Sequence, residues 1–195
     1  MNIPESLSWL DLADFINFSS DAIIVIDQGQ RILFINGSAE TIFKFQVTEL
    51  LGKPIDFLIP ERLIERHRQH IRDFIKGPET AHRMLDDKEL FGRRKDGSEF
   101  PIEASISRVM RGDKTAIIVF LQDITQRKQT EQRLITWAQA FENADWGVVV
   151  SRAEATTLEI MNPAFARLYG STIEELTGLP IQDLYAPEER PKVAE

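Results

Sequence analysis

Ile35-Asn36-Gly37-Ser38, running on through Glu49-Leu50-Leu51-Gly52-Lys53-Pro54-Ile55, lies without a gap over Met161-Asn162-Pro163-Ala164 through Glu175-Leu176-Thr177-Gly178-Leu179-Pro180-Ile181. The spacing is 126 residues throughout, from Asn36 to Asn162, and Asn36/Asn162, Glu49/Glu175, Leu50/Leu176, Gly52/Gly178, Pro54/Pro180 and Ile55/Ile181 are identical. Ile42/Leu168 and Phe43/Tyr169 are close matches, and upstream the Ala22–Ile26 run is echoed by Gly147–Val150. Self-similarity at a fixed spacing marks one structural unit begun twice. Two full units need about 250 residues, whereas the chain has 195, so the second is expected to be incomplete and the sequence a fragment of a longer protein.

Outward from that repeat, Ala22–Ile26 and Arg31–Ile35 are β-branched and aromatic runs separated by Asp27-Gln28-Gly29-Gln30, which reads as a hairpin. Asn36 stops the second strand, and its side-chain oxygen suits the N-cap of the next helix. In the second copy Pro163 follows Asn162 at the favoured first helical position. Short helices through Phe43 and over Val47–Leu51 come next, with Gly52 free to take the positive φ of a helix end. Ser171-Thr172-Ile173-Glu174 has the spacing of a capping box. A longer helix is expected from Glu61 to Lys76, with Ile64, His67, Ile71, Phe74 and Ile75 on one face, ended by Gly77-Pro78. After a polar loop come a strand over Glu89–Arg94 and a tight turn at Lys95-Asp96-Gly97-Ser98. The next strand alternates: Phe100, Ile102, Ala104 and Ile106 face one way, Glu99, Glu103, Ser105 and Ser107 the other. The last strand is Ala116–Leu121. The order β-β, helices, β-β-β predicts an α+β fold, an antiparallel sheet with helices on one face.

Composition narrows the chemistry. The 23 Lys and Arg against 31 Asp and Glu leave a net charge of −8, which argues against a nucleic-acid groove. The absence of cysteine excludes disulfides, thiolate metal sites and cysteine adducts. The longest apolar run, Ala116–Leu121, is far short of the ~20 residues that span a bilayer, and the N-terminus lacks a basic region ahead of an apolar one, so the segment reads as cytoplasmic. No Gly-rich phosphate loop and no Ser-His-Asp arrangement is present, so no turnover is expected of this segment.

Ile35-Asn36, Leu51-Gly52-Lys53-Pro54, Gly92-Arg93-Arg94-Lys95-Asp96-Gly97-Ser98-Glu99-Phe100-Pro101 and Asp123-Ile124-Thr125, taken in order, resemble a PAS domain of bacterial signalling proteins. The resemblance runs from Phe15 to Thr125 as a whole domain and from Ala144 onward as a partial one. It implies a five-stranded sheet of order 2-1-5-4-3 with helices forming a pocket against it. The corresponding division is an N-terminal amphipathic helix over 1–14, a first PAS domain with its C-terminal PAC part over 15–125, a helical linker over 126–143 and the start of a second PAS domain over 144–195. It further implies a sensory and dimerising input region that binds a small ligand or registers redox state. Its output is then a histidine kinase, with a diguanylate cyclase or a transcription regulator as the alternatives.

Asp123 and Thr125 stand where the sheet ends, and Thr125 can cap the helix that follows. The resemblance adds a coupling role, in which Asp123 ties that helix to the sheet through Arg94 or Lys95. Leu134, Trp137 and Phe141 form a short apolar stripe on the linker, which with the N-terminal helix is expected to make a homodimer. Trp137 and Trp146 read as packing residues at the junction.

His67 is the candidate cofactor ligand. Pro60-Glu61 followed by Arg66-His67 resembles the helix of haem-binding oxygen-sensor PAS domains, whose axial histidine matches His67. The chain departs from that pattern: the arginine aimed at oxygen falls on Lys88, an apolar distal residue on Arg83 and the propionate-binding arginine on Asp73. The alternative is a histidine simply hydrogen-bonded at the helix face. His67-x-x-His70 is a poor zinc pair because Asp73 is turned too far round the helix. Non-covalent flavin stays open, while flavin adducts on cysteine do not.

Overall fold

The computed structural model describes residues 16–17, 19–78, 80–83, 90–112, 114–151 and 157–188. The helix expected over 1–14 lies outside them, as do Lys88 and the side chain of Arg83. The chain divides into two compact units, Met1–Arg127 and Lys128–Glu195.

In the first unit the β-branched runs make β1 (Ala22–Asp27) and β2 (Ile32–Ile35), an antiparallel hairpin with Ile24 opposite Ile35 and Val25 opposite Phe34. Asn36 then starts α1 (Gly37–Phe43) by accepting the Ala39 N–H at 3.0 Å. Next comes α2 (Val47–Leu50), after which Gly52 turns the chain at φ +74°. Two 3-10 turns, Ile55–Leu58 and Glu61–Leu63, lead into α3 (Ile64–Lys76). The long helix expected from Glu61 therefore begins as a tighter turn, a common N-terminal device after a proline. Its 3.6-residue period sets Ile71 and Phe74 in the core.

The rest of the sheet is β3 (Ala81–Arg83), β4 (Leu90–Arg93), β5 (Glu99–Arg111) and β6 (Lys114–Asp123). Long β6 pairs with β1 on one side and with β5 on the other, all antiparallel. The order is 2-1-5-4-3 when the outer place beside β5 is counted once, because two short strands share it. β4 covers Glu99–Ile102 and β3 covers Ser105–Ser107. β3 falls in the expected polar loop. The 13 residues of β5 outrun β4, and the unpaired edge beyond it recruits Ala81–Arg83. Ile24, Ile26, Ile106, Ile117, Val119 and Leu121 pack beneath the helices, each contributing about 1.5–3 kcal/mol of burial.

The helix α4 (Thr125–Glu142) follows β6 and has no buried residue. Trp137 and Trp146, expected to pack, are 74% and 71% exposed, since no described element covers them. No helix among the described residues is long and apolar enough to cross a membrane.

The second unit contains β7 (Val149–Val150), β8 (Ile160–Met161), α5 (Pro163–Leu168), α6 (Ile173–Leu176) and a 3-10 turn at Ile181–Leu184, around a small core of Leu158, Met161, Phe165, Ala166 and Leu176. The repeat holds at the level of single bonds. The Arg31–Pro54 bridge recurs as Thr157–Pro180, the Gly52 N–H to Ile32 carbonyl bond as Gly178 to Leu158, and Gly178 takes φ +84°. The capping box forms one residue later than its expected start, on Thr172 and Glu175, where β-region backbone at Thr172 lets its hydroxyl oxygen accept the Glu175 N–H. Phe43 is buried against Phe100 of β5, whereas its counterpart Tyr169 is exposed. The described part of the second unit has no strand equivalent to β5.

Candidate functional site

Helix α3 and the two 3-10 turns roof the inner face of β1, β5 and β6, leaving a partly open cavity of about 100 Å³. Its walls are apolar except along α3, where Arg66, His67 and His70 line it. His67 is held on that face by the helical period. Burial pushes its imidazole down to about 4, with His70 adding to the effect and the Asp56 carboxylate opposing it. The ring is therefore neutral at pH 7, and its Nδ1 is buried without a hydrogen-bond partner among the described residues.

A neutral imidazole with an unengaged nitrogen meets one requirement of a haem ligand. The remainder of the site does not. The cavity is about 100 Å³, where cofactor pockets run from roughly 300 to 1,000 Å³. Asp73, which the resemblance sets in place of the propionate-binding arginine, is a carboxylate outside the lining that accepts the Gln69 amide at 2.8 Å and would repel a propionate rather than hold it. The residues present do not fit haem. Among the described residues no cluster of three His, Cys, Asp or Glu could hold a metal.

A second constellation lies at the end of β6. Asp123 Oδ1 accepts the Thr125 N–H at 2.8 Å and Oδ2 accepts Arg94 Nη2 at 2.6 Å. Asp123, rather than Thr125, thus satisfies the first turn of α4, because the helix already begins at Thr125. Burial pushes the Asp123 carboxyl up, but the bonds from Thr125 and Arg94 outweigh it and hold the group below its ordinary value. Of the two candidate basic residues it is Arg94 that meets Asp123. Lys95 turns away to Glu49 Oε1 at 2.6 Å.

Arg94 also donates to the Ile42 carbonyl, and its guanidinium lies 3.9 Å above the Phe100 ring. Phe100 meets Phe43 edge to face at 5.4 Å, and Phe43 lines the cavity. A continuous series of contacts therefore runs from cavity wall to the first turn of α4. Gly92 makes the aromatic pair possible: a Cβ there would come within 2.7 Å of Phe100 Cζ and 3.1 Å of Phe43 Cε1. Arg127, in the same helical turn, pairs with Glu103 of β5.

Asn36 and Asn162 form a third site in duplicate, both fully buried. Asn36 Oδ1 accepts the N–H groups of Ile23 and Ala39 while Nδ2 donates to the carbonyls of Ile16 and Asp21. Asn162 does the same with Val148, Phe165, Phe141 and Trp146. Phe141 sits in the last turn of α4, so the amide caps a helix end that would otherwise present an unpaired carbonyl.

A family profile for the PAS domain matches residues 20–126 and again 147–195. The chain belongs to the PAS family. Oxygen sensor protein DosP of Escherichia coli is 28% identical over 160 residues, 80% of this chain and 19% of that protein. Cell-division control histidine kinase PdhS of Brucella ovis is 27% identical over 137 residues, 69% of this chain and 13% of that protein. The chain therefore spans a fifth or less of the length of these two relatives. The PAS domain of a Colwellia psychrerythraea protein superposes with a TM-score of 0.53 at 19% identity, covering 60% of this chain and 97% of that one, a likeness of fold.

Sequence reading of the PAS motifs picked out Arg94, Asp123 and His67 but passed over Asp56, Gln30 and the Phe43–Phe100 pair. Gly92 carried a signal, since a glycine inside a strand marks a close approach. Asp56 carried none, because one acidic residue in a helical turn reads as an ordinary surface charge.

Proposed function

We propose that this region is the sensory input of a larger signal-transduction protein, in which a small ligand in the first PAS cavity changes how α4 is held and so biases a downstream output domain. The first PAS domain occupies 15–125, the signalling helix 126–143 and the second PAS domain starts at 144. The observation that carries the reading is the unbroken series Phe43, Phe100, Arg94, Asp123, Thr125, which joins the ligand wall to the helix leaving the sheet. A helix held by a few directed bonds at its first turn can rotate or shift as a body, the kind of two-state element that signalling requires.

The output is a histidine kinase, a reading supported by the name of the relative PdhS. DosP is named an oxygen sensor; oxygen sensing through His67 is not adopted because the cavity does not fit haem. Exposed Leu134, Ile135 and Trp137 on α4 support pairing of two copies along this helix in a cytoplasmic homodimer. The test is autophosphorylation of the full-length protein with Asp123→Ala. Output that no longer responds to the stimulus is expected, and an unchanged response at normal protein levels refutes the coupling.

A further inference from the structure

The cavity of the first PAS domain has two ends of different character. Ile24, Ile26, Ile106, Val119 and Leu121 of the sheet form its floor and are all buried. Of the described residues that line it only Arg66 and His70 are exposed, so it opens along their side of α3. Four residues apart in the helix, they are neighbours on one face with Cβ atoms about 5–6 Å apart. Among the described residues no Asp or Glu lines the cavity, and the remaining polar residue of its wall, His67, is again of a basic type.

Arg66 differs from the arginines around it. Arg62 pairs with Glu99, Arg68 with Asp56 at 2.6 Å and Arg93 with Glu61 at 3.3 Å, while Arg72 donates to Gln69 at 2.8 Å. The Arg66 side chain has no ion pair or hydrogen bond among the described residues. A guanidinium stays charged throughout the physiological range, whereas burial pushes His67 down to about 4 and leaves its ring neutral at pH 7. Fixed positive charge therefore stands at the opening and not in the interior.

We propose that the cavity takes a short-chain aliphatic carboxylate, its hydrocarbon tail among the buried isoleucines and its head group on Arg66, at the rim that residue shares with His70. This rests on the cavity being the ligand site. A guanidinium presents N–H donors in a fork that matches the two oxygens of a carboxylate. A head group at the opening keeps part of its hydration, so the ion escapes the penalty of full burial, while each methylene that enters gains hydrophobic free energy. A cation would meet Arg66 and find no acid in the wall, and a sugar would leave its hydroxyls unpaired against the isoleucines. Benzene, with six carbons, occupies an engineered cavity of about 150 Å³. By proportion about four tail carbons fit the space of about 100 Å³, which makes pentanoate the matched probe.

The experiment is a methyl-detected proton–carbon NMR titration of the 195-residue chain with sodium pentanoate, 1-pentanol and pentylammonium chloride. Pentanoate is expected to shift the methyl signals of Ile24, Ile106 and Val119 and to bind about fivefold tighter than 1-pentanol, the upper end for an ion pair at an exposed position. Arg66→Gln, a change at an exposed side chain, should bring that ratio to about one without altering the affinity for 1-pentanol. Equal affinities in wild type, a ratio untouched by Arg66→Gln, or tighter binding of pentylammonium each overturn the carboxylate assignment and leave the cavity as a ligand site. If none of the three probes moves those methyl signals, the cavity reading itself falls and the assignment with it.

Discussion

Replacing Asp123 separates two jobs performed by one side chain. Asp123→Ala removes the acceptor for the Thr125 N–H, a loss of about 1 kcal/mol for a helix cap. It also removes the partner of Arg94, a charge-assisted bond worth about 1.5–3 kcal/mol in a partly buried pair, whose side chains are 16% and 22% exposed. Arg94 keeps the Ile42 carbonyl and the Phe100 face, so the lower half of that range applies and the total is about 3 kcal/mol. At roughly 4–8 °C per kcal/mol for a domain of this size, the melting temperature of the first PAS unit should fall by more than 10 °C. Asp123→Asn keeps an oxygen for the cap but turns its amide N–H groups towards Arg94, so it loses the charged bond and should cost about two thirds as much. Calorimetry gives the melting temperatures, and hydrogen exchange over residues 125–130 shows whether the first turn of α4 has been released. An alanine variant melting within 2 °C of wild type, or exchanging no faster there, refutes the proposed hold on the helix.

Gly92→Ala should destabilise the protein by about 1–3 kcal/mol in urea, because the new methyl group meets two rings that cannot both retreat. The Asp123 carboxyl is held below its ordinary value of 3.8, so its contribution is fully present above about pH 4 and is lost as pH falls through the lowered value. Urea midpoints at pH 5, 4 and 3 should therefore drop more steeply for wild type than for Asp123→Asn. Leu134→Glu combined with Trp137→Glu should turn the proposed dimer into a monomer by light scattering while leaving the melting of the first unit unchanged, as both side chains are exposed within one chain.

What could be read from residues alone follows from the range of the forces involved. The asparagines, Gly52 and Gly178 were legible because the repeat displays each of them twice. His67 was legible because the helical period puts it on the same face as Ile71. Arg94 and Lys95 could not be told apart, since neighbouring residues at a strand end point to opposite sides and only the position of β6 decides which one reaches Asp123. β3 was invisible because Ala81-His82-Arg83 has no strand pattern of its own and owes its form to the length of β5. The pairing of Asp56 with Arg68 spans twelve residues and a change of element, beyond any local spacing rule. Trp137 on α4 and Trp146 beyond its end are exposed within the described chain, because cover for an indole comes from elements distant in sequence or from a second copy, which residue spacing does not show.

The duplicated asparagine sets where these modules can be cut. Profile boundaries at 20 and 147 look natural, yet each falls after a carbonyl that the buried amide requires, Ile16 in one copy and Phe141 in the other. A recombinant piece trimmed to those limits would leave a sealed donor empty-handed at a penalty of about 1–3 kcal/mol. Grafts and chimaeras that carry the preceding helical turn along with the sheet should be the ones that stay intact.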